Sequence, residues 1–224
     1  MLSWYLMKKW LAVVLLALAV PSQAAVLDKS KSFVSQLLEL GRLSRESKGV
    51  VTPGSRAAIR QLSAQVDFER LAAKSLGATW TKLSPAKRKD FMNTLQESIE
   101  VLLYPKADRL TASLGEVKFT LNPTKPRQVV ARTKFESMKQ GEIVEREIEF
   151  ELVFDAREKV VDTLLEGELV SGNLKRQFDQ ALQKKSFDQL LAQMKKRLAD
   201  AKLPPKAAAL KSPSGTEKSK KDGV

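Results

Sequence analysis

The chain has 224 residues and a formal charge of +13, with neither cysteine nor histidine. Those two absences exclude Cys/His nucleophiles, Ser-His-Asp triads, thiolate or imidazole zinc sites, and histidine acid–base work near neutral pH. Carboxylate or lysine chemistry is what remains for catalysis, and no motif sets a base beside a nucleophile.

At the start of the chain, Lys8 and Lys9 precede a short apolar run from Trp10 to Val20. Pro21-Ser22-Gln23-Ala24 then supplies small residues where a signal peptidase cuts, after Ala24 or Ala25. The run is well short of the ~20 residues that a membrane-crossing helix needs. With no cysteine after it, an N-terminal lipoprotein is not expected. The leader predicts an exported, soluble protein: residues 1–24 a signal peptide, 25–200 one folded domain, 201–224 a disordered tail of Lys, Pro and Ser. The leader accounts for +2 of the charge and the tail, six lysines against Glu217 and Asp222, for +4, which leaves +7 between them. A nucleic-acid partner is the obvious reading of such a balance, but export and the scarcity of aromatics outside apolar-patterned segments argue against it. An anionic membrane surface suits an exported basic domain better.

Within the domain, Phe33, Val34, Leu37, Leu38 and Leu40 mark one face of a first helix, about Asp28 to Arg45. Gly49 to Gly54 breaks it, and a short helix is expected from about Ser55 to Ala64. Asp67 caps a third, Phe68 to Leu76, which Gly77 closes. Ser84-Pro85 is a strong start for a fourth, carrying Phe91, Leu95, Ile99, Leu102 and Leu103 and ending near Tyr104-Pro105.

From Gly115 the period changes to two. Val117, Phe119 and Leu121 alternate with polar residues, as do Ala131, Thr133 and Phe135. In the third run Ile148, Phe150, Leu152 and Phe154 face one way and Glu145, Glu147, Glu149 and Glu151 the other. A connection near Met138–Gly141 makes the last two runs a hairpin, with Arg132 and Lys134 opposite the glutamates. A fourth strand is expected over about Lys159 to Leu169. Helices return with Leu174, Phe178 and Leu182, then Leu190, Leu191, Met194 and Leu198, the last opened by a Ser186/Gln189 capping box. The expected fold is α+β: a four-stranded antiparallel sheet covered by a layer of helices.

Val66-Asp67-Phe68-Glu69-Arg70-Leu71-Ala72, then Leu76-Gly77-Ala78-Thr79-Trp80, then Leu83-Ser84-Pro85 through Phe91, follow one another in an order that resembles the MlaC-type phospholipid-binding proteins, the toluene-tolerance family of the Gram-negative periplasm. Glu166-Gly167, Asn173 to Phe178 and Phe187 to Leu191 continue the likeness, and Tyr104 falls where the family closes its long helix with tyrosine. Leu169, Leu174 and Lys175 depart from the pattern, and the turn Asp155–Lys159 lacks the family's Gly and Trp. The resemblance implies a periplasmic lipid carrier without catalysis or cofactor, its ligand a phospholipid held between sheet and helices. It implies as partners an outer-membrane lipoprotein complex and an inner-membrane ABC transporter carrying an MCE ring.

Candidate wall residues for such a cavity are the large apolar ones on inward faces: Phe91, Leu95, Leu102, Phe119, Phe135, Phe150, Phe154 and Phe178, with Tyr104 at the mouth. By pattern alone these residues fit an ordinary core better; the resemblance reverses that balance in favour of a lined cavity, while Tyr104 and Trp80 fit plain packing as readily as a mouth. The glutamate row reads as a solvated strand face rather than as paired carboxylates for hydrolysis or metal. A scaffold that docks on envelope complexes through a basic surface is the alternative function.

Overall fold

The computed structural model describes residues 23–202, apart from 49, 107–110, 112–113, 126, 140–141 and 166, and only the backbone of 135–139 and 142–143. Residues 1–22 of the expected leader and 203–224 of the expected tail therefore lie outside the described residues, as does the side chain of Phe135. No helix among the described residues is long and apolar enough to cross a membrane.

Helix α1 (Gln23–Glu46) starts before the expected Asp28 and buries Val26, Ser30, Val34, Leu40, Gly41 and Ser44 along one face. Two of these are hydroxyls with backbone partners: Ser30 Oγ donates within the helix to Val26 O at 2.9 Å, and Ser44 Oγ donates to Pro105 O, far along the chain, at 2.6 Å. Helix α2 (Pro53–Ala64) starts two residues earlier than expected, because Thr52 and Ser55 form a reciprocal capping box ahead of Pro53. Helix α3 (Phe68–Leu76) is capped by Asp67, whose carboxylate accepts from the Arg70 amide at 3.0 Å. Gly77 ends it at φ +52°, and a five-residue helix α4 (Ala78–Lys82), too short to show periodicity, follows at once. Helix α5 (Pro85–Ser98) starts at its Ser84 cap. It continues as a π turn (Ile99–Leu103), where the Tyr104 amide donates to Ile99 O, and then a 3₁₀ turn (Tyr104–Lys106).

The sheet is an antiparallel meander of β1 (Lys118–Leu121), β2 (Gln128–Lys139), β3 (Glu142–Phe154), β4 (Val160–Leu165) and β5 (Glu168–Leu169), in that spatial order. It has five strands rather than the expected four. The run Lys159–Leu169 folds back on itself, with Gly167 at φ +81° supplying the reversal. The β2–β3 hairpin has the expected register: Arg132 faces Glu149 and pairs with it at 2.7 Å, while Lys134 faces Glu147 and reaches diagonally to Glu145. Glu145, Glu147 and Glu149 are exposed, whereas Glu151 is half-buried.

Helices α6 (Val170–Leu182) and α7 (Phe187–Lys202) return to pack on α3 and α5. The Ser186/Gln189 box is present, with bonds of 2.9 and 3.3 Å. Helix α1 lies on β1 and β2, while the link between α2 and α3 joins the sheet through a parallel bridge from Val66 to Val160.

Candidate functional site

The sequence-predicted site residues fall into three apolar groups. Phe91, Leu95 and Phe178 sit among α3, α5, α6 and α7 with Leu71, Leu76 and Leu191. Phe91 is fully buried, edge-on to Phe178 at 5.4 Å between ring centres and tilted to Phe187 at 5.9 Å. This is aromatic packing between helices. Tyr104 is buried with Leu40, Ile59 and Leu62 where α1 and α2 cross. Its phenol is pushed up to about 12, first by burial and then by the Glu100 carboxylate, against a smaller opposing influence of Ser63. Ser63 Oγ, for its part, makes no bond of hydrogen-bonding distance and angle. Leu102 is half-buried in the π turn.

The third group joins Phe119, Phe150 and Phe154 to α1 across the inner face of the sheet. Residues directly opposite in register share a face. One inner rung is therefore Leu121–Val129–Leu152–Thr163, and the next is Phe119–Ala131–Phe150–Leu165. Thr133 and Ile148 form a third.

Along this face the covering is uneven. Val129, Leu152 and Phe154 are buried beneath Val26 and Val34 of α1. Farther along β3, Phe150 and Ile148 are only half-buried, and Leu165 beside Phe150 is 51 % exposed. Ile148 lies four residues from Leu152, roughly 13 Å along the strand. Among the described residues, the helices thus close only one end of the sheet's apolar inner face.

Leu165, which the sequence reading did not single out, lies on this half-covered face. A bulge between Val153 and Phe154 shifts the phase of β4 against β3, so alternation alone does not say which of Leu164 and Leu165 points inward.

A second concavity, of about 440 Å³, opens between α2, α3, α5 and the β3–β4 turn, with Arg60, Ser63, Asp67, Glu100, Arg157 and Lys159 among its walls. Arg157 spans two buried carboxylates, at 2.5 Å from Asp67 and 3.1 Å from Asp155. Burial, the largest influence on Asp155, pushes it up. The Lys159 amide and the side chain and amide of Arg157 together outweigh that and hold it below the usual carboxylate range. The contact with Asp155 closes the β3–β4 turn, and the contact with Asp67 ties that turn to the start of α3. Among the described residues no group of three or more acidic side chains is placed to hold a metal ion. What the uneven sheet face offers is apolar contact.

Comparison with known proteins bears on this geometry. The model of the family described as MlaC protein matches residues 44–196. A solved structure of a phospholipid-binding protein from Ralstonia solanacearum, in complex with a phospholipid, is similar in fold. Its TM-score is 0.58 at 17 % identity, over 79 % of this chain and 98 % of that one. No curated protein matches the chain. The family match runs from the end of α1 into α7 and takes in both the closed helical core and the half-covered sheet, so the chain belongs to the MlaC family.

Proposed function

We propose that this protein is a phospholipid carrier without catalytic activity, holding acyl chains against the uncovered part of the sheet's inner face. Membership of the MlaC family and the likeness in fold to a phospholipid-binding protein support the class of ligand. The observation that carries the place is the change along one face from buried Leu152 to half-buried Phe150 and Ile148 and exposed Leu165. An apolar strand face left open to water is costly unless something apolar covers it.

The energetics suit a carrier. Two acyl chains bring about 28 methylenes at roughly 0.8 kcal/mol each, so a lipid free in water lies on the order of 20 kcal/mol above one in a bilayer. The protein has only to offer an interior comparable to the bilayer for exchange to be nearly balanced. The leader supports export, and a periplasmic carrier would shuttle lipid between an outer-membrane lipoprotein complex and an inner-membrane ABC transporter with an MCE ring.

A second reading has its own observation. Lys184, Lys185 and Lys196 ring a concavity of about 460 Å³ at the α6–α7 corner, with no carboxylate among its walls. A scaffold docked through that basic surface would bind anionic vesicles in a salt-sensitive way without extracting lipid. Native mass spectrometry of protein expressed with its leader separates the two. A carrier retains a phospholipid mass, and a folded, lipid-free protein would sink the proposal.

A further inference from the structure

We infer that the concavity at the α6–α7 corner is a site for a phosphate ester, either a small soluble one or the head group of a lipid. Its walls are Lys184, Lys185, Gln189, Ala192, Gln193 and Lys196. The first two come from the turn that follows α6, and the other four keep the three- and four-residue spacing of one face of α7. None of them belongs to the apolar sheet face, so the inference does not depend on a lipid being carried there.

What these side chains offer is donors. Gln189 Oε1 accepts from the Ser186 amide at 2.9 Å, and Gln193 Oε1 accepts from the Lys185 ammonium at 2.7 Å. Both partners can only donate, which fixes the two carboxamides and leaves their Nε2 groups unspent. Lys184 and Lys196 make no ion pair among the described residues, and Asp200, one helical turn past Lys196, is not paired with it. The other nearby carboxylates are engaged elsewhere, Asp188 by Lys87 and Asp179 by Lys175. Ammonium and amide donors around a hollow whose side-chain acceptors are already spent select an anion. The kind of cation narrows the choice. Arginine's flat fork matches a planar carboxylate, whereas lysines act as point charges that approach a tetrahedral phosphate from several sides. No arginine is among the walls, and a hollow of about 460 Å³ has room for the alcohol that the phosphate esterifies.

In isotope-labelled protein expressed with its leader, glycerol phosphate is expected to shift the side-chain amide resonances of Gln189 and Gln193 saturably, with ionic strength held constant by sodium chloride. Lys184 and Lys196 are exposed, so K184A/K196A keeps the fold and should bind roughly tenfold or more weakly, two charge-assisted bonds being lost. Gln193→Glu, which still accepts from Lys185 but sets an anion in the wall, should weaken binding in the same direction. Flotation with phosphatidylglycerol vesicles separates the sources. Vesicle association that K184A/K196A loses, without a glycerol phosphate shift, assigns the site to a lipid head group; the shift without association assigns it to a soluble ester; both together show that the site reads the phosphate whatever it esterifies. Binding of neither, binding unchanged in both variants, or malonate (a dicarboxylate) binding as tightly as glycerol phosphate overturns the inference. The lipid mass that supports the carrier reading should be the same in wild type and K184A/K196A, so either reading can fail without the other.

Discussion

The buried carboxylate of Asp162 accepts from both the hydroxyl and the amide of Ser171, at 2.5 and 3.1 Å, tying strand β4 to the first turn of α6. It also accepts from the Thr163 amide at 3.0 Å and from Lys74 of α3 at 3.1 Å. One side chain thus joins the sheet to two helices. Asp162→Ala leaves buried donors without a partner and is expected to lower unfolding free energy by about 3 kcal/mol in urea titration. Lys74→Met should cost much less, because that ammonium lies at the half-exposed end of the network and Asp162 keeps its other donors.

Asp155 gives the fold an acid dependence. Its carboxyl is held below the usual range, so its contribution is present above the unfolded value of ~3.9 and is lost as pH falls through the lower folded value. Melting temperature of the wild type should therefore fall toward that of Asp155→Asn as the pH drops from about 5 to below 3. A constant gap between the two proteins across that window would contradict this account.

Tyr104 titrates in the opposite sense. Its folded value of about 12 is raised, so the stability from burying the neutral phenol is complete below the unfolded value of ~10 and is lost as pH rises through the folded one. The chain has two tyrosines, Tyr5 and Tyr104, so a protein without residues 1–24 reports Tyr104 alone. Phenolate absorbance at 295 nm should have its midpoint near pH 12, or step up on alkaline unfolding, and a midpoint near 10 in the folded protein would be wrong.

Glu158 occupies a left-handed position, φ +58°, in the turn where the MlaC pattern has glycine. Glu158→Gly relieves a conformational cost of ~1–2 kcal/mol against a smaller loss from the freer unfolded chain, so a net gain of roughly 0.5–1 kcal/mol is expected in thermal or urea melts.

Two apolar positions should respond in contrasting ways. Phe91→Ala opens a hole between tightly packed rings and should cost about 3–5 kcal/mol. Ile148→Asn changes a half-exposed residue on the open stretch of β3, so it should spare most of the stability and reduce the fraction of protein that carries lipid in native mass spectra.

Where backbone chemistry is local, the sequence was easy to read. Asp67, Ser84-Pro85 and Ser186/Gln189 cap the helices they announce, and opposite charges on alternate residues set the β2–β3 register. Thr52-Pro53 carries the same cap-then-proline signal as Ser84-Pro85, but the glycines and proline around it read as a break. The return of β4 into β5 depends on one positive φ at Gly167. Of the candidate site residues, Phe119, Phe150 and Phe154 share the sheet's inner face, as their alternation indicates. Phe91, Leu95 and Phe178 lie on apolar helix faces and meet one another between helices, because periodicity names a buried face without naming what lies against it. Leu165 was hidden by the bulge, whose effect is a change of phase between two strands.

Each strand of the meander pairs with the next along the chain, so the sheet grows hairpin by hairpin and every closure spans a short loop. The helical layer is different. Lys87 meets Asp188, Lys195 meets Asp90 and Lys202 meets Glu97 across separations of 101 to 105 residues. As the chain is synthesised its sheet is thus within reach early, whereas the α6–α7 pair docks onto α3 and α5 only once the C-terminal segment has arrived.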